Sequence, residues 1–257
     1  MLTIDQLCYS SKLRRVNANE KFAFTILTLF ICVASRNVWI AGIVLLVNTI
    51  LTVGGGRIPF GRYLKLMLLP FAFLIMSTAA IVINVSKVPF DAYAIPVGDY
   101  YITSSVAAVF MAIQLSLTAL SAVSCLYFLT LNTPMTDILR VLRKCHCPNI
   151  LIELMLLIYR FIFILLSTAK GIRVSQKSRL GYQDYKTSLR SFSSLCATVF
   201  IRAMKRANAL YDAMESRGYD GTLRVLEEEY EGRIVEIILI VLFEALLIGI
   251  WILKVQV

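Results

Sequence analysis

The stretch ITSSVAAVFMAIQLSLTALSAVSCLYFLTL, Ile102 to Leu131, runs for thirty residues without a charged side chain. About 20 helical residues cross the roughly 30 Å hydrocarbon core of a bilayer, so this run predicts a long, tilted or protruding membrane helix. The rest of the chain has the same character. Hydrophobic residues fill 58% of the 257 positions, charged residues only 16%, and mean hydropathy is +0.75. A soluble domain carries about a quarter charged residues, and apolar surface this abundant needs lipid. The chain therefore reads as an all-α integral membrane protein, since helices satisfy their own backbone groups in hydrocarbon.

Upstream, Phe22 to Val53 is apolar except at Arg36-Asn37. An arginine in mid-membrane costs several kcal/mol, so the run is expected to fold back at Ser35-Arg36-Asn37 into two short or tilted helices. Gly54-Gly55-Gly56-Arg57-Ile58-Pro59 then breaks the chain as a flexible turn. Leu66 to Val85 is a further span. Lys87 to Tyr101, with Pro89, Asp91, Pro96, Gly98 and Asp99, reads as a loop outside the membrane. The N-terminal region 1–131 is thus expected to hold segments at about 22–34, 38–53, 66–85 and 102–131.

Downstream, residues 132–233 differ in kind, holding 16 Lys/Arg against 10 Asp/Glu while keeping apolar residues at helical spacing. Thr133-Pro134 with Asp137 marks a helix start, Thr133 as N-cap and Pro134 as first helical residue. Cys147-Pro148-Asn149 breaks that helix. Two long amphipathic helices are expected next, from Asn149 to about Leu180 and from Asp184 to about Arg217, followed by an acidic turn at Glu227–Glu231. A last span, Ile234 to Leu253 within 234–257, contains Glu236 and Glu244, eight residues apart and so on one face. The expected architecture is about five membrane segments plus a domain of long amphipathic helices. Lys12, Arg14, Arg15 and Lys21 place the N-terminus in the cytoplasm. The basic segment 132–233 returns there after four crossings, as the positive-inside rule requires. The net charge of +10 is read as this asymmetry, not as a nucleic-acid surface.

Chemistry of other kinds lacks its residues. No Gly-Lys-Ser/Thr follows the triple glycine, so no phosphate loop is formed. The single histidine, His146, lies between Cys145 and Cys147. Three adjacent residues at a helix end cannot all face one ion, and one histidine supports no catalytic triad. No catalytic or metal-ligating residue is assigned, and no cofactor is expected on this chain. The six cysteines follow no disulfide spacing, and Cys32, Cys125 and Cys196 in helical runs are expected to behave as small hydrophobes. Ionisable residues that would line a transport path are confined to Glu236 and Glu244 in the last span. Glu244, lying deep, needs a partner.

The most informative feature is a repeat. Ser178-Arg179-Leu180-Gly181-Tyr182 recurs as Ser216-Arg217-Gly218-Tyr219, each copy ending a long helix. Gly181 and Gly218 are expected to supply the left-handed terminating residue, with each arginine projecting from the last turn, where a cation complements the helix dipole. Two matched arginine tips suit two matched acceptors, such as the halves of a symmetric dimer.

On these residues the chain resembles the transmembrane T component of energy-coupling factor (ECF) transporters. The stretch Ala213-Met214-Glu215-Ser216-Arg217-Gly218-Tyr219 is the closest part. The opening Ile4-Asp5, Tyr9-Ser10-Ser11-Lys12-Leu13-Arg14 and Lys21 is similar to the cobalt-type CbiQ subgroup. The resemblance implies a non-catalytic subunit of an ATP-driven importer in a bacterial or archaeal cell membrane. Ser178, Arg179, Leu180, Ser216, Arg217 and Gly218 would dock into a pair of ABC ATPase subunits, which bind ATP–Mg. A separate substrate-binding membrane subunit of CbiM type would carry the substrate, cobalt ion first and nickel or a vitamin as alternatives. The family usually has alanine before each arginine and glycine or serine after it; serine precedes both here, and Leu180 follows the first. A self-contained carrier using Glu236 and Glu244 is the competing reading.

Overall fold

The computed structural model describes residues 3–82, 84–86, 93–97, 100–221 and 232–256. The helices are α1 (Thr3–Ser10), α2 (Ala18–Ser35), α3 (Val38–Ile50, continued by a π-helical turn Leu51–Gly55), α4 (Phe60–Val82), α5 (Val106–Asn132), α6 (Met135–Lys144), α7 (Asn149–Ser178), α8 (Tyr185–Glu215) and α9 (Ile234–Gln256). They form two compact units, Leu2–Ile138 with Glu229–Val257, and Leu139–Glu228. Among the described residues six helices are long and apolar enough to cross a membrane: α2, α3 with its π turn, α4, α5, α7 and α9. That is one more than the five segments expected, and the additional one is α7. The acidic turn at 227–231 and the charged residues of the 87–101 loop, Lys87, Asp91 and Asp99, lie outside the described residues.

The charge-free run quoted above is the axis of the first unit, since α2, α3 and α4 all pack on α5. Its buried residues are small in the first part of the helix, Ala112, Ser121, Ser124 and Cys125, which lets neighbouring backbones approach, and larger towards its end, Phe128, Leu129, Leu131 and Asn132. Ser121 Oγ donates to the Ala41 carbonyl and Gln114 to that of Arg36. Asn48 on α3 donates to Ser124 Oγ (3.4 Å) and Cys125 Sγ (3.1 Å). The fold-back at Ser35-Arg36-Asn37 forms as expected: Arg36 takes a left-handed conformation (φ 43°), and Asn37 caps α3 by accepting from Trp39 N–H (3.1 Å). α2 starts earlier than hydropathy alone marks, because Asn17 caps it (2.9 Å to Asn19 N–H). Its 18 residues reach about 27 Å.

Three expectations are corrected in this unit. Asn84 and Val85, read as the end of a span, belong to strand β1 (Asn84–Ser86), and Ile102–Ser104, read as the start of one, are the end of β3 (Tyr100–Ser104). With β2 (Tyr93–Val97) they form an antiparallel sheet in the order β1-β3-β2, in which Pro96 sits on an edge strand, where a missing N–H is tolerated. The last residue of the triple glycine is packed, not loose: a Cβ on Gly56 would lie 2.5 Å from Asn132 Oδ1 and 2.6 Å from the Thr52 carbonyl, whereas Gly54 and Gly55 are exposed. Thr133 does not cap α6; its hydroxyl is buried without a hydrogen bond, and the Pro134 carbonyl accepts the first helical bonds.

Pro70 lies inside α4 and cannot donate to the carbonyl four residues back, that of Leu66. Tyr127 of α5 donates to that carbonyl instead (3.2 Å), the substitution of partners that lets proline persist in membrane helices. Tyr127→Phe is expected to lower stability by about 1 kcal/mol. In a Pro70→Ala background the same change is expected to be nearly neutral, because the backbone then fills the carbonyl. Thermal unfolding of the four proteins measures that coupling.

Helices α2 and α9 run parallel. Thr28 Oγ donates to Glu244 Oε1 (2.6 Å), and Glu20 lies against Glu236 one equivalent step earlier. The partner expected for Glu244 is therefore within the chain. Glu244 is buried beside an apolar cluster of Ile40, Val44, Cys125 and Leu247, and its Oε2 has no hydrogen bond.

Candidate functional site

Both arginine tips lie in the second unit, and the chain closes each helix end with the same pair of backbone bonds. At the first, Leu180 N–H donates to Lys177 O (3.1 Å) and Gly181 N–H to Gln176 O (2.9 Å). At the second, Gly218 N–H donates to Glu215 O (2.9 Å) and Tyr219 N–H to Met214 O (3.1 Å). This double closure turns on one left-handed residue. It puts Ser178 with Ser216, Arg179 with Arg217 and Leu180 with Gly218. Both serine hydroxyls turn back on their own helix, Ser178 donating to Val174 O four residues back and Ser216 to Ala213 O three back, at 3.1 Å each.

The left-handed residue of the first tip is thus Leu180 (φ 57°), not Gly181; in the second it is Gly218 (φ 75°). Gly181 serves close approach instead, since a Cβ there would lie 2.8 Å from both Gln176 O and Ser191 Oγ. A left-handed leucine is strained by about 1–2 kcal/mol, and its side chain is 64% exposed, so no burial within the chain offsets that. Leu180→Gly is expected to stabilise the first helix end by about 1 kcal/mol, and Gly218→Leu to destabilise the second by a similar amount. Hydrogen exchange at Gly181 and Tyr219 N–H reads both.

The tips are braced differently. Gln176 donates to Ser191 O (2.9 Å), Ser191 Oγ donates to Gly181 O (2.7 Å), and Tyr182 donates to Gln176 Oε1 (2.8 Å), so the first tip is stitched to the opening of α8. Arg173 stacks on Tyr182, 5.9 Å from its ring centroid. At the second, Tyr219 donates to Glu153 Oε2 (2.7 Å) near the start of α7. That bond to a carboxylate raises the Tyr219 phenol above its ordinary value. Helices α7 and α8 therefore form an antiparallel pair tied near both ends. Ser178, Arg179, Leu180, Ser216, Arg217 and Gly218 are all exposed, and among the described residues no hydrogen bond or ion pair engages either guanidinium. Two exposed cations on backbone-closed helix ends, able to donate to a carboxylate or carbonyl acceptor, are what the geometry offers.

The Cys145-His146-Cys147 triplet is a third helix end of the same kind. His146 is left-handed (φ 61°), and Cys147 N–H donates to Leu142 O (3.2 Å). Among the described residues no group of three His, Cys, Asp or Glu gathers to hold a metal ion. All six cysteines are free; Cys32 and Cys125 are buried as expected, whereas Cys196 is exposed. Lys21, read as an orienting surface charge, is also different. It is 3% exposed, donating to Leu13 O and Asn132 O at 3.0 Å each. Ser11 Oγ donates to Asn132 Oδ1 (2.7 Å), so this cluster clasps the N-terminal segment to the end of α5. No signal in the sequence separates such a lysine from its exposed neighbours.

The family described as cobalt transport protein, CbiQ, matches residues 9–228. The cobalt transport protein CbiQ of Salmonella typhimurium is 31% identical over 86% of this chain and 98% of its own length. A fused cobalt transport protein CbiMQ of Methanocorpusculum labreanum is 32% identical over 96% of this chain and 41% of its own. The energy-coupling factor transporter transmembrane protein EcfT of Exiguobacterium sibiricum is 30% identical over 93% of this chain and 94% of its own.

Proposed function

The chain belongs to the CbiQ cobalt transport protein family, and from that premise we propose that it is the energy-coupling transmembrane subunit of an ATP-driven ECF importer for cobalt ion. In this reading two ABC ATPase subunits bind ATP–Mg and receive the Arg179 and Arg217 tips, while a CbiM-type membrane subunit carries the ion. The observation that carries the proposal is the pair of identically closed helix ends with exposed, unengaged guanidiniums. Because the ends are stiff, a change in the separation of the two acceptors would be transmitted into α7 and α8 rather than absorbed at the tips. A relative named as a CbiMQ fusion supports the CbiM-type partner. Nickel or a vitamin is the alternative substrate.

Cytoplasmic placement of residues 132–233 and of the N-terminus belongs to the same reading. Parallel packing of α2 and α9 starts both helices on one side of the membrane. Four crossings, α2 to α5, return the chain to that side before α6. A single crossing by α7 would then start α9 on the wrong side, since α8 is not apolar enough to cross back. It would also separate Arg143 and Lys144 from Lys170, Arg173 and Lys177, against the positive-inside rule. We therefore place α7 along the membrane interface despite its apolar first half.

Reconstitution tests the proposal. The purified chain alone in liposomes is expected to accumulate no cobalt, and addition of the ATPases and the substrate-binding subunit to give ATP-dependent uptake. Uptake by the chain alone, lost on Glu244→Gln, would establish the self-contained carrier instead.

A further inference from the structure

We propose that the groove between α7 and α8 is a binding site for the phosphodiester headgroup of an anionic phospholipid. The groove encloses about 370 Å³ and is lined by Ile164, Leu165 and Thr168 of α7 and by Arg202, Lys205 and Arg206 of α8. The three cations lie at positions i, i+3 and i+4, one face of the helix. Among the described residues none of them has a hydrogen bond or ion pair. Nor does the local sequence supply a counter-charge: residues 154–183 and 185–211 together contain ten Lys/Arg and no Asp/Glu. Three like charges repel one another when crowded on one wall, and an anion between them removes that repulsion.

The opposite wall selects the kind of anion. Ile164 and Leu165 are apolar, and Phe200, Ile201 and Met204 flank the cations with 50–66% of their surface exposed. A ligand that fits both walls is amphipathic, with a charged head and hydrocarbon tails. Arginine forks match phosphate oxygens two at a time, and basic clefts between helices on the cytoplasmic side of membrane proteins suit anionic headgroups. From their nearest lining residues, Thr168 and Arg206, the groove lies about 16 Å along α7 from Arg179 and about 16 Å along α8 from Arg217, so it is separate from the docking tips. The proposal does not depend on what those tips bind. A lipid held here would fill the middle of the α7–α8 pair and anchor it to the bilayer surface.

The test titrates the full purified chain in detergent with phosphatidylglycerol, phosphatidylcholine or inorganic phosphate, read by native mass spectrometry. The triple variant Arg202→Gln/Lys205→Gln/Arg206→Gln is compared with Lys170→Gln/Lys186→Gln/Arg190→Gln, which removes the same charge elsewhere on the pair. The groove variant is expected to bind phosphatidylglycerol about thirtyfold more weakly, the control variant to stay near wild type, and phosphate at millimolar concentration not to compete. A photoactivatable phosphatidylglycerol is expected to label the wild-type peptide around 164–168, a readout independent of how any variant folds. Equal losses in both variants, competition by free phosphate, or labelling elsewhere would overturn the site. So would a groove variant that keeps its lipid but loses ATPase association, which would assign the groove to an acidic protein surface.

Discussion

Arg179→Glu combined with Arg217→Glu is expected to abolish ATPase co-purification and ATP-driven cobalt uptake while the chain still inserts and folds. Exposed arginines that anchor an interface typically contribute 2–4 kcal/mol each. Charge reversal adds repulsion to the loss, so each single variant should weaken association by about a hundredfold. The folded chain loses far less, because among the described residues neither guanidinium is bonded; only the helix dipole is opposed, by about 0.3–1 kcal/mol at each end. Arg→Lys at both positions separates charge from shape. A lysine keeps the charge without the planar fork, and intermediate association is expected. Association unchanged in the double reversal would remove the tips from the mechanism. Within the pair, Leu180 makes the tips unequal: Leu180→Gly is expected to relax the helix end yet weaken docking there, if the strained, exposed leucine is held for contact with the partner.

The second large effect is expected in the membrane unit. Lys21→Met should lower stability by about 2–3 kcal/mol, a fall of roughly 5–10 °C in melting temperature for a chain of this size. Methionine preserves the length of the side chain, so the loss isolates the ammonium. Its removal leaves the Leu13 and Asn132 carbonyls without their buried donor and takes away the positive charge that Asp137 faces. A buried group stripped of its partner suffers the full cost of its desolvation. Because the clasp fixes the end of α5 just before α6, uptake should fall with stability. A Met variant that melts at the wild-type temperature would show that the clasp is redundant.

Much of this was readable in advance, for physical reasons that differ by residue. The spans were legible because hydrocarbon tolerates few charges, and the fold-back at Arg36 because an arginine forces it. The arginine tips were legible because Ser-Arg recurs at two helix ends. What escaped was whatever depends on three-dimensional neighbours. Leu180 takes the left-handed position that glycine normally marks, so the pattern points to Gly181, one residue too late. Lys21 carries the same charge as Lys12 and Arg15 and looks like an orienting residue until Asn132 is folded against it. The apolar first half of α7 satisfies a hydropathy criterion for crossing; only the parallel register of α2 and α9, fixed by Thr28 and Glu244, argues for its place along the surface. Strands β1 and β3 were drawn from the ends of apolar runs, where strand and helix look alike over three to five residues.

Photo-crosslinking from the tips in native membranes is the most direct measurement. A genetically encoded benzophenone amino acid at Ser178 or at Ser216, both exposed and beside the arginines, reports what each tip touches. The expected result is an adduct with an ATPase subunit from each position, lost when the neighbouring arginine is reversed. Adducts from neither position in a complex that retains its ATPases would contradict the coupling role of Arg179 and Arg217.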